Sequence, residues 1–256
     1  MVTTHGRHSD NFYEQLAPLY HLKVDWDKRL PKETALFDLL LADSEVSTVC
    51  DLGCGDGGHA REIIKRGAVY VGIDRSARMI KMAKAKHARR KGIHFLKGDM
   101  LRLPAQSNGM FDLVLLLGNT LPHILSGADL KMLIRNVSRL LSPHGRFVIQ
   151  TVNPEMLKTK QVHFLPPKLA DNRVLFTPFY TRQDECWSFL MPIYIIEQGK
   201  ISSHNTLETR LKFWLRSEIA AAASHDFKVT HAFGDAGLAP YIRTKSENMI
   251  LIMEKV

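Results

Sequence analysis

The chain has 256 residues, of which 45% are hydrophobic and 24% are charged. These values are ordinary for a soluble globular protein and are enough for one sizeable core. No apolar run approaches the roughly 20 residues of a membrane span, and the polar first ten residues lack the apolar stretch of a secretory signal. We therefore expect a cytoplasmic protein.

Two features of the composition bear on partners. The three cysteines, Cys50, Cys54 and Cys186, are too few for a disulfide framework, and no second Cys/His pair stands at zinc-like spacing. We predict reduced thiols and no metal. The net charge is +9, and much of it lies between residues 75 and 91. That charge permits an acidic partner such as nucleic acid, but a solvated basic face that attracts an anionic small substrate explains it as well.

The N-terminal region predicts helices. Apolar residues recur at helical spacing, at Phe12, Leu16, Leu19 and Tyr20, and again between residues 34 and 41. Pro18 and Pro31 should break this region into two or three pieces. We expect residues 1–44 to form an N-terminal helical cap.

The next region alternates short apolar strands with helices. Strands are predicted at residues 48–52, 69–73, 93–96, 111–117 and 146–152. Helices are predicted at residues 59–66, 76–90 and 129–141, the last closed by a turn at residues 142–145. This alternation indicates a parallel sheet covered on both faces. We expect residues 45–153 to form a core that binds a cofactor.

The alternation stops after the fifth strand. Residues 154–203 are rich in proline and aromatic side chains, and residues 173–179 and 187–196 have the character of β-strands. We predict a β-rich insertion that serves as a substrate lid. Residues 204–256 should then complete the core sheet, with a strand at 204–214, a helix at 217–224 and a final antiparallel pair at 227–234 and 248–255.

The first strand runs directly into glycines at positions 53, 55, 57 and 58. Glycine permits positive φ angles and close approach of backbone to a ligand, and such turns at strand ends are where open α/β sheets bind ligands. By itself the turn fits a dinucleotide, another nucleoside cofactor or no ligand at all.

Acidic residues at successive strand ends narrow the choice. Asp74 can accept hydrogen bonds from ribose hydroxyls, and Asp99, beside the apolar Met100, can accept from an adenine amine. Asp51 precedes the glycines, where it can orient the loop and indirectly meet a cationic amino group but would repel a pyrophosphate. The glycines also depart from the G-x-G-x-x-G spacing of dinucleotide sites. Together these features favour S-adenosylmethionine over NAD.

These segments resemble the motifs of class I S-adenosylmethionine-dependent methyltransferases. The resemblance lies in residues 49–57, 71–74, 98–100 and 111–114. It implies a Rossmann-like, doubly wound, mostly parallel seven-stranded sheet with an antiparallel last strand, and S-adenosylmethionine as cofactor. The implied cofactor residues are Asp51, Gly53, Cys54, Gly55, Asp74, Arg75, Asp99, Met100 and Leu117.

A finer resemblance is to the glycine and sarcosine N-methyltransferases and their relatives. It rests on residues 117–123, on residues 13–20 and on Asp25-Trp26. It implies that Asn119 holds the substrate near the methyl group and that His123 contacts the cofactor side, which makes both candidate catalytic residues. It also implies that Tyr13, on the substrate side, and Tyr20, on the cofactor side, close the pocket. Arg173 is our candidate for a substrate carboxylate, with Arg182 and Arg210 as alternatives.

The expected activity is transfer of a methyl group to a small molecule, on a nitrogen, by in-line displacement. A neutral amine needs little acid–base help, whereas a hydroxyl would need a base or a metal. Two alternatives stay open: an RNA or protein methyltransferase on the same fold, and a module that binds the cofactor without transfer.

Overall fold

The computed structural model describes residues 7–42, 46–103 and 107–256, with side chains from residue 11 onward. The helices are α1 (Arg7–Leu16), α2 (Tyr20–Lys23), α3 (Trp26–Leu40), α4 (Ala60–Lys65), α5 (Ala77–Lys86), α6 (Gly127–Leu140) and α7 (Arg216–Ala223). The strands of the first sheet are β1 (Thr48–Leu52), β2 (Val69–Asp74), β3 (Ile93–Lys97), β4 (Phe111–Leu116), β5 (Leu141–Val152), β12 (Phe227–Phe233) and β13 (Asn248–Lys255). The strands of the second sheet are β6 (Val162–Phe164), β7 (Lys168–Ala170), β8 (Val174–Phe176), β9 (Phe179–Gln183), β10 (Cys186–Glu197) and β11 (Lys200–Leu211).

The first sheet has seven strands in the order β12-β13-β5-β4-β1-β2-β3. Neighbours from β5 to β3 run parallel, whereas β13 runs antiparallel to both β5 and β12. This arrangement confirms the predicted mixed sheet with an antiparallel last strand. Its parallel strands end along one edge, which is where the acidic residues and glycines of the sequence come together.

The central strand β4 shows why the sheet is covered on both faces. Its side chains alternate, and both sets are buried. Leu113 and Leu115 pack in one apolar cluster with α3, α4 and α5. Val114 and Leu116 pack in the other, with α6 and α7. An almost purely apolar strand therefore stands in the middle of the sheet.

Pro31 does not break the N-terminal region, contrary to the prediction. It lies inside α3, which begins at the cap Asp25, whose side chain accepts from the backbone N–H of Lys28. The ring removes one hydrogen bond at a cost of about 3 kcal/mol, and burial of Leu36, Phe37 and Leu40 further along the helix offsets it. The expected boundary at residues 44 and 45 lies outside the described residues.

Residues 142–145 do not form the expected turn after α6. They belong to β5, which begins at Leu141 and is longer than predicted. Leu141 pairs with Phe111, and a register shift then absorbs the extra residues before Arg146 pairs with Leu113. His144 within this irregular stretch has a φ of 62°. The residues that were expected to form a turn therefore produce a local irregularity inside β5.

The predicted boundary at residues 203 and 204 was also wrong. β11 pairs with β10 along its whole length, in the second sheet rather than the core sheet. Gln198 and Gly199, with φ angles of 51° and 73°, form the tight connection between the two strands. Because the hairpin is continuous, the second sheet extends to Leu211.

The second sheet packs against the N-terminal helix. Phe12 and Leu16 of α1 join Phe176, Met191 and Ile193 of the second sheet in one buried cluster. The β-rich insertion and α1 therefore share one apolar core. Within the described ranges, no helix is long and apolar enough to cross a membrane.

Candidate active site

A cavity opens at the carboxyl ends of β1, β2 and β4, with about 1070 Å³ of space not filled by protein atoms when the open solvent at its mouth is included. Its walls contain most of the residues predicted for the site. These are Tyr13, Tyr20, Gly53, Cys54, Gly55, Asp74, Arg75, Asp99, Met100, Leu117 and His123. The chain thus brings together residues that lie up to 110 positions apart in sequence.

The glycine-rich turn is held tightly against its surroundings. Gly53 has a φ of 72°, and a Cβ added there would lie 2.5 Å from the side chain of Thr120. Gly55 has a φ of 56°, and a Cβ there would lie 3.2 Å from the hydroxyl oxygen of Tyr20. Both positions therefore require glycine for conformation, and Gly53 also requires it for space.

Asp74 connects the end of β2 to that turn. One carboxylate oxygen accepts from the backbone N–H of Gly55 at 2.8 Å, and the other accepts from the N–H of Ser76 at 2.8 Å. Burial raises the pKa of Asp74 despite these hydrogen bonds. Each oxygen retains a lone pair, so the carboxylate can still accept from hydroxyl groups in the cavity.

Asp99 occupies the matching position after β3. One of its oxygens accepts from the backbone N–H of Leu101 at 2.9 Å, and the other lies 3.9 Å from Nε of Arg75. Met100 and Leu101 add apolar side chains to the same wall. The wall therefore combines one carboxylate with an apolar surface, which suits a flat, polar-edged ring.

Tyr13 and His123 form a pair in the cavity wall. The tyrosine hydroxyl lies 3.1 Å from Nε2 of His123, and the two rings meet edge to face. Burial, with a smaller contribution from Arg75, lowers the pKa of His123 to about 4. Burial also raises the pKa of Tyr13 well above its usual range. Both groups are neutral at physiological pH.

Comparison with known proteins agrees with this geometry. Residues 49–145 match the family described as a methyltransferase domain. The glycine/sarcosine N-methyltransferase of Halorhodospira halochloris is 28% identical over 133 residues, which cover 51% of this chain and 49% of that protein. The chain covers between 23% and 54% of the length of the first three curated relatives. The chain is therefore similar to S-adenosylmethionine-dependent methyltransferases, and residues 49–145 carry the match to a methyltransferase domain.

Solved structures of this fold cover more of the chain. The CcbJ methyltransferase of Streptomyces caelestis has a TM-score of 0.75 at 19% identity and covers 88% of this chain and 89% of its own. The amino pentose methyltransferase CalS10 of Micromonospora echinaspora, solved with S-adenosylmethionine bound, has a TM-score of 0.72 at 18% identity, covering 93% and 95%. These likenesses extend the shared fold beyond the methyltransferase domain to the second sheet.

Three residues expected in the site do not line the cavity. Asp51 is buried behind the turn, where it accepts from the hydroxyl of Tyr70 at 2.8 Å. The amide oxygen of Asn119 accepts at 3.0 Å from both the hydroxyl of Thr151 and the backbone N–H of Val152. Arg173 is exposed in the connection between β7 and β8. None of the three is in the cavity wall.

Arg29 is a wall residue that the sequence did not reveal. Its guanidinium lies 4.8 Å from the ring centre of Trp26, and its Nε donates to Glu33 at 2.8 Å. Trp26 and His59 line the cavity as well. The spacing of Trp26, Arg29 and Glu33 indicates one helix face, but it does not say that this face turns toward the glycine-rich turn.

Proposed function

We propose that this chain transfers the methyl group of S-adenosylmethionine to a nitrogen atom of a small molecule. The observation that carries the proposal is the composition of the cavity. Two carboxylates, Asp74 and Asp99, stand at successive strand ends, and the wall also contains the uncharged Tyr13, Tyr20 and His123.

The cavity wall fits the cofactor group by group. Asp74 would accept from the ribose hydroxyls, while Asp99 and Met100 would receive the adenine ring with Arg75 beside them. The backbone of Gly53 and Gly55, with Cys54 and Leu117, would contact the methionine portion. Arg29 supplies a cation in the same wall, where its guanidinium nitrogens lie 3.5 Å from the position that a Cβ on Gly118 would take, in the loop after β4. We assign it to the cofactor carboxylate.

When bound, the cofactor would supply a methyl group on a positively charged sulfur. An amine lone pair could take this group as the sulfur leaves as a neutral thioether, and the new ammonium would lose its proton to solvent. The protein must therefore hold the acceptor in line and keep water away. Such alignment is worth roughly 7–11 kcal/mol. Tyr13, Tyr20 and His123 form a wall without charge at this end of the cavity.

The state of His123 favours nitrogen over oxygen as the acceptor. A histidine with a pKa of about 4 is a weak base at neutral pH. A neutral amine needs no deprotonation before it attacks, whereas an alcohol does. Two similar proteins, a glycine/sarcosine N-methyltransferase and an amino pentose methyltransferase, support a small amine-bearing acceptor.

The test is an acceptor panel with methyl-labelled S-adenosylmethionine. Amino acids and amino sugars are compared with hydroxy acids and sugars of the same carbon skeleton, and labelled product is identified by mass spectrometry. The proposal predicts transfer to at least one amine and none to its hydroxyl counterpart. An Asp74→Ala variant serves as the control for the site and should lose the signal. Transfer to hydroxyl compounds alone, or to RNA or protein alone, would contradict the proposal.

A further inference from the structure

The positive charge of this protein is confined to one region. Residues 75–102 contain ten lysines and arginines and one aspartate, a net charge of +9. The other 228 residues hold 25 basic and 25 acidic side chains and are net neutral. The charge of the whole chain therefore resides in 28 consecutive residues, from the start of α5 to just beyond β3.

These residues form one edge of the molecule. β3 is an edge strand of the seven-stranded sheet, and α5 packs beside it. The basic side chains of the segment are all exposed. They are Arg75, Arg78, Lys81, Lys84, Lys86, Arg89, Arg90, Lys91, Lys97 and Arg102. We call this surface the cationic edge.

Few of these charges are neutralised within the protein. Arg75 faces Asp99, Arg78 faces Glu14 and Lys86 faces Asp56. Across the described part of the chain, no ion pair involves the remaining seven. These are Lys81, Lys84, Arg89, Arg90, Lys91, Lys97 and Arg102. Like charges this close repel one another, and a bound polyanion relieves that repulsion.

The cofactor is not the ligand that this charge suits. S-adenosylmethionine carries a sulfonium and an ammonium against one carboxylate, so its net charge at neutral pH is positive. A cationic edge beside the cavity repels it. The edge and the cavity share Arg75 and adjoin at Asp99 and Leu101, so the charge suits an anionic partner rather than the cofactor.

The side chains between the cations decide the class of partner. Leu96, 52% exposed, is the only large hydrophobic residue of residues 75–102 exposed to solvent. Protein interfaces have an apolar core from which charged residues are depleted. The sequence-independent binding of a phosphate backbone, by contrast, rests mainly on lysine and arginine and needs no apolar core. We propose that the cationic edge binds the phosphodiester backbone of a nucleic acid, in addition to and independently of the proposed small-molecule activity.

The test measures fluorescence anisotropy of labelled RNA and DNA duplexes of about 20 base pairs, from about 50 to 200 mM KCl. The test variant is Lys81→Glu/Lys84→Glu, one turn apart on α5. The matched control is Lys131→Glu/Arg135→Glu, two exposed positions on α6 with the same change in net charge. The wild type should bind with a steep, linear dependence of log Kd on log salt concentration.

The α5 variant should weaken binding at least about tenfold and reduce the salt slope by about two, since each lysine–phosphate contact contributes about one. The α6 control should change Kd less than about threefold. S-adenosylmethionine binding, measured on both variants, confirms that each is folded. Failure of the wild type to bind either duplex, or equal losses in the two variants, would overturn the proposal. So would binding of polyglutamate or of phosphatidylserine vesicles as tight as binding of the duplexes.

Discussion

Nδ1 of His59 lies 3.3 Å from a carboxylate oxygen of Asp51, and its Nε2 lies 3.2 Å from Glu33. The histidine thus joins β1 to α3 behind the glycine-rich turn. Burial opposes a charge on the ring, but the hydrogen bonds to Asp51 and Glu33 outweigh it and raise the pKa of His59. Asp51 therefore supports the site from within the core.

Replacing Asp51 with asparagine should destabilise the fold. The change keeps the shape but removes the negative charge that faces His59, and breaking a buried ion pair costs about 3–5 kcal/mol. Urea unfolding measures the loss. Asp38→Asn is the control, because Asp38 pairs with Arg66 at the surface and is 62% exposed; it should cost at most about 1 kcal/mol. Equal losses in the two variants would show that Asp51 is not part of a buried ion pair.

The raised pKa of His59 determines how the free energy of unfolding changes with pH. The stability contributed by its proton is fully present below the unfolded value of about 6.5 and is lost as pH rises through the folded pKa. Above pH 6.5, the unfolding free energy of the wild type should fall faster than that of His59→Gln, by at most about 1.4 kcal/mol per pH unit. Parallel curves for the two proteins would disprove the charged pair.

Two glycines with similar backbone angles should respond differently to alanine. Gly67 has a φ of 88° and no neighbouring atom within 4 Å of a Cβ, so Gly67→Ala should cost about 1 kcal/mol from backbone strain alone. Gly53→Ala adds a clash at 2.5 Å with Thr120 and should cost more. It should also weaken cofactor binding, which Gly67→Ala should not. Unfolding and calorimetric titration of both variants test this contrast.

His123 should remain neutral across the physiological range. With a pKa of about 4, its imidazole resonances should not titrate between pH 6 and 8 in a nuclear magnetic resonance experiment. Tyr13→Phe should lower kcat while it changes the Kd for S-adenosylmethionine less than about threefold, because the hydroxyl faces His123. A midpoint near pH 6.5 would show that the ring is solvated. An unchanged kcat would remove Tyr13 from the substrate site.

The sequence predicted the sheet because strand patterns are local, and the resemblance to a known family supplied much of the cavity wall. A strand buried on two faces is apolar along its length, as β4 is, and parallel strands bring their ends to one edge. Pro31 misled the prediction because tertiary burial of α3 outweighed a local penalty. The placement of residues 204–211 failed because a strand's pattern does not identify its sheet.

The direction of individual side chains was the second feature that the sequence did not predict. Asp51 lies at a strand end, but successive side chains of a strand point to opposite faces. Asp51 shares its face with Val49, on the side of the core that holds Tyr70, where it contacts His59 of the cavity wall but is not part of that wall itself. Asn119 has a φ of 67°, and its amide is bonded to β5. Such orientations follow from three-dimensional partners that spacing alone does not reveal.

The central claim is that this cavity binds S-adenosylmethionine with Asp74 as the ribose acceptor. Isothermal titration calorimetry of the wild type and Asp74→Ala with S-adenosylmethionine tests it most directly. The wild type should bind with a measurable Kd. Hydrogen bonds to a charged group contribute about 1.5–3 kcal/mol each, so the Kd of the variant should be at least about tenfold higher. No binding by the wild type, or equal affinity in the two proteins, would contradict the claim.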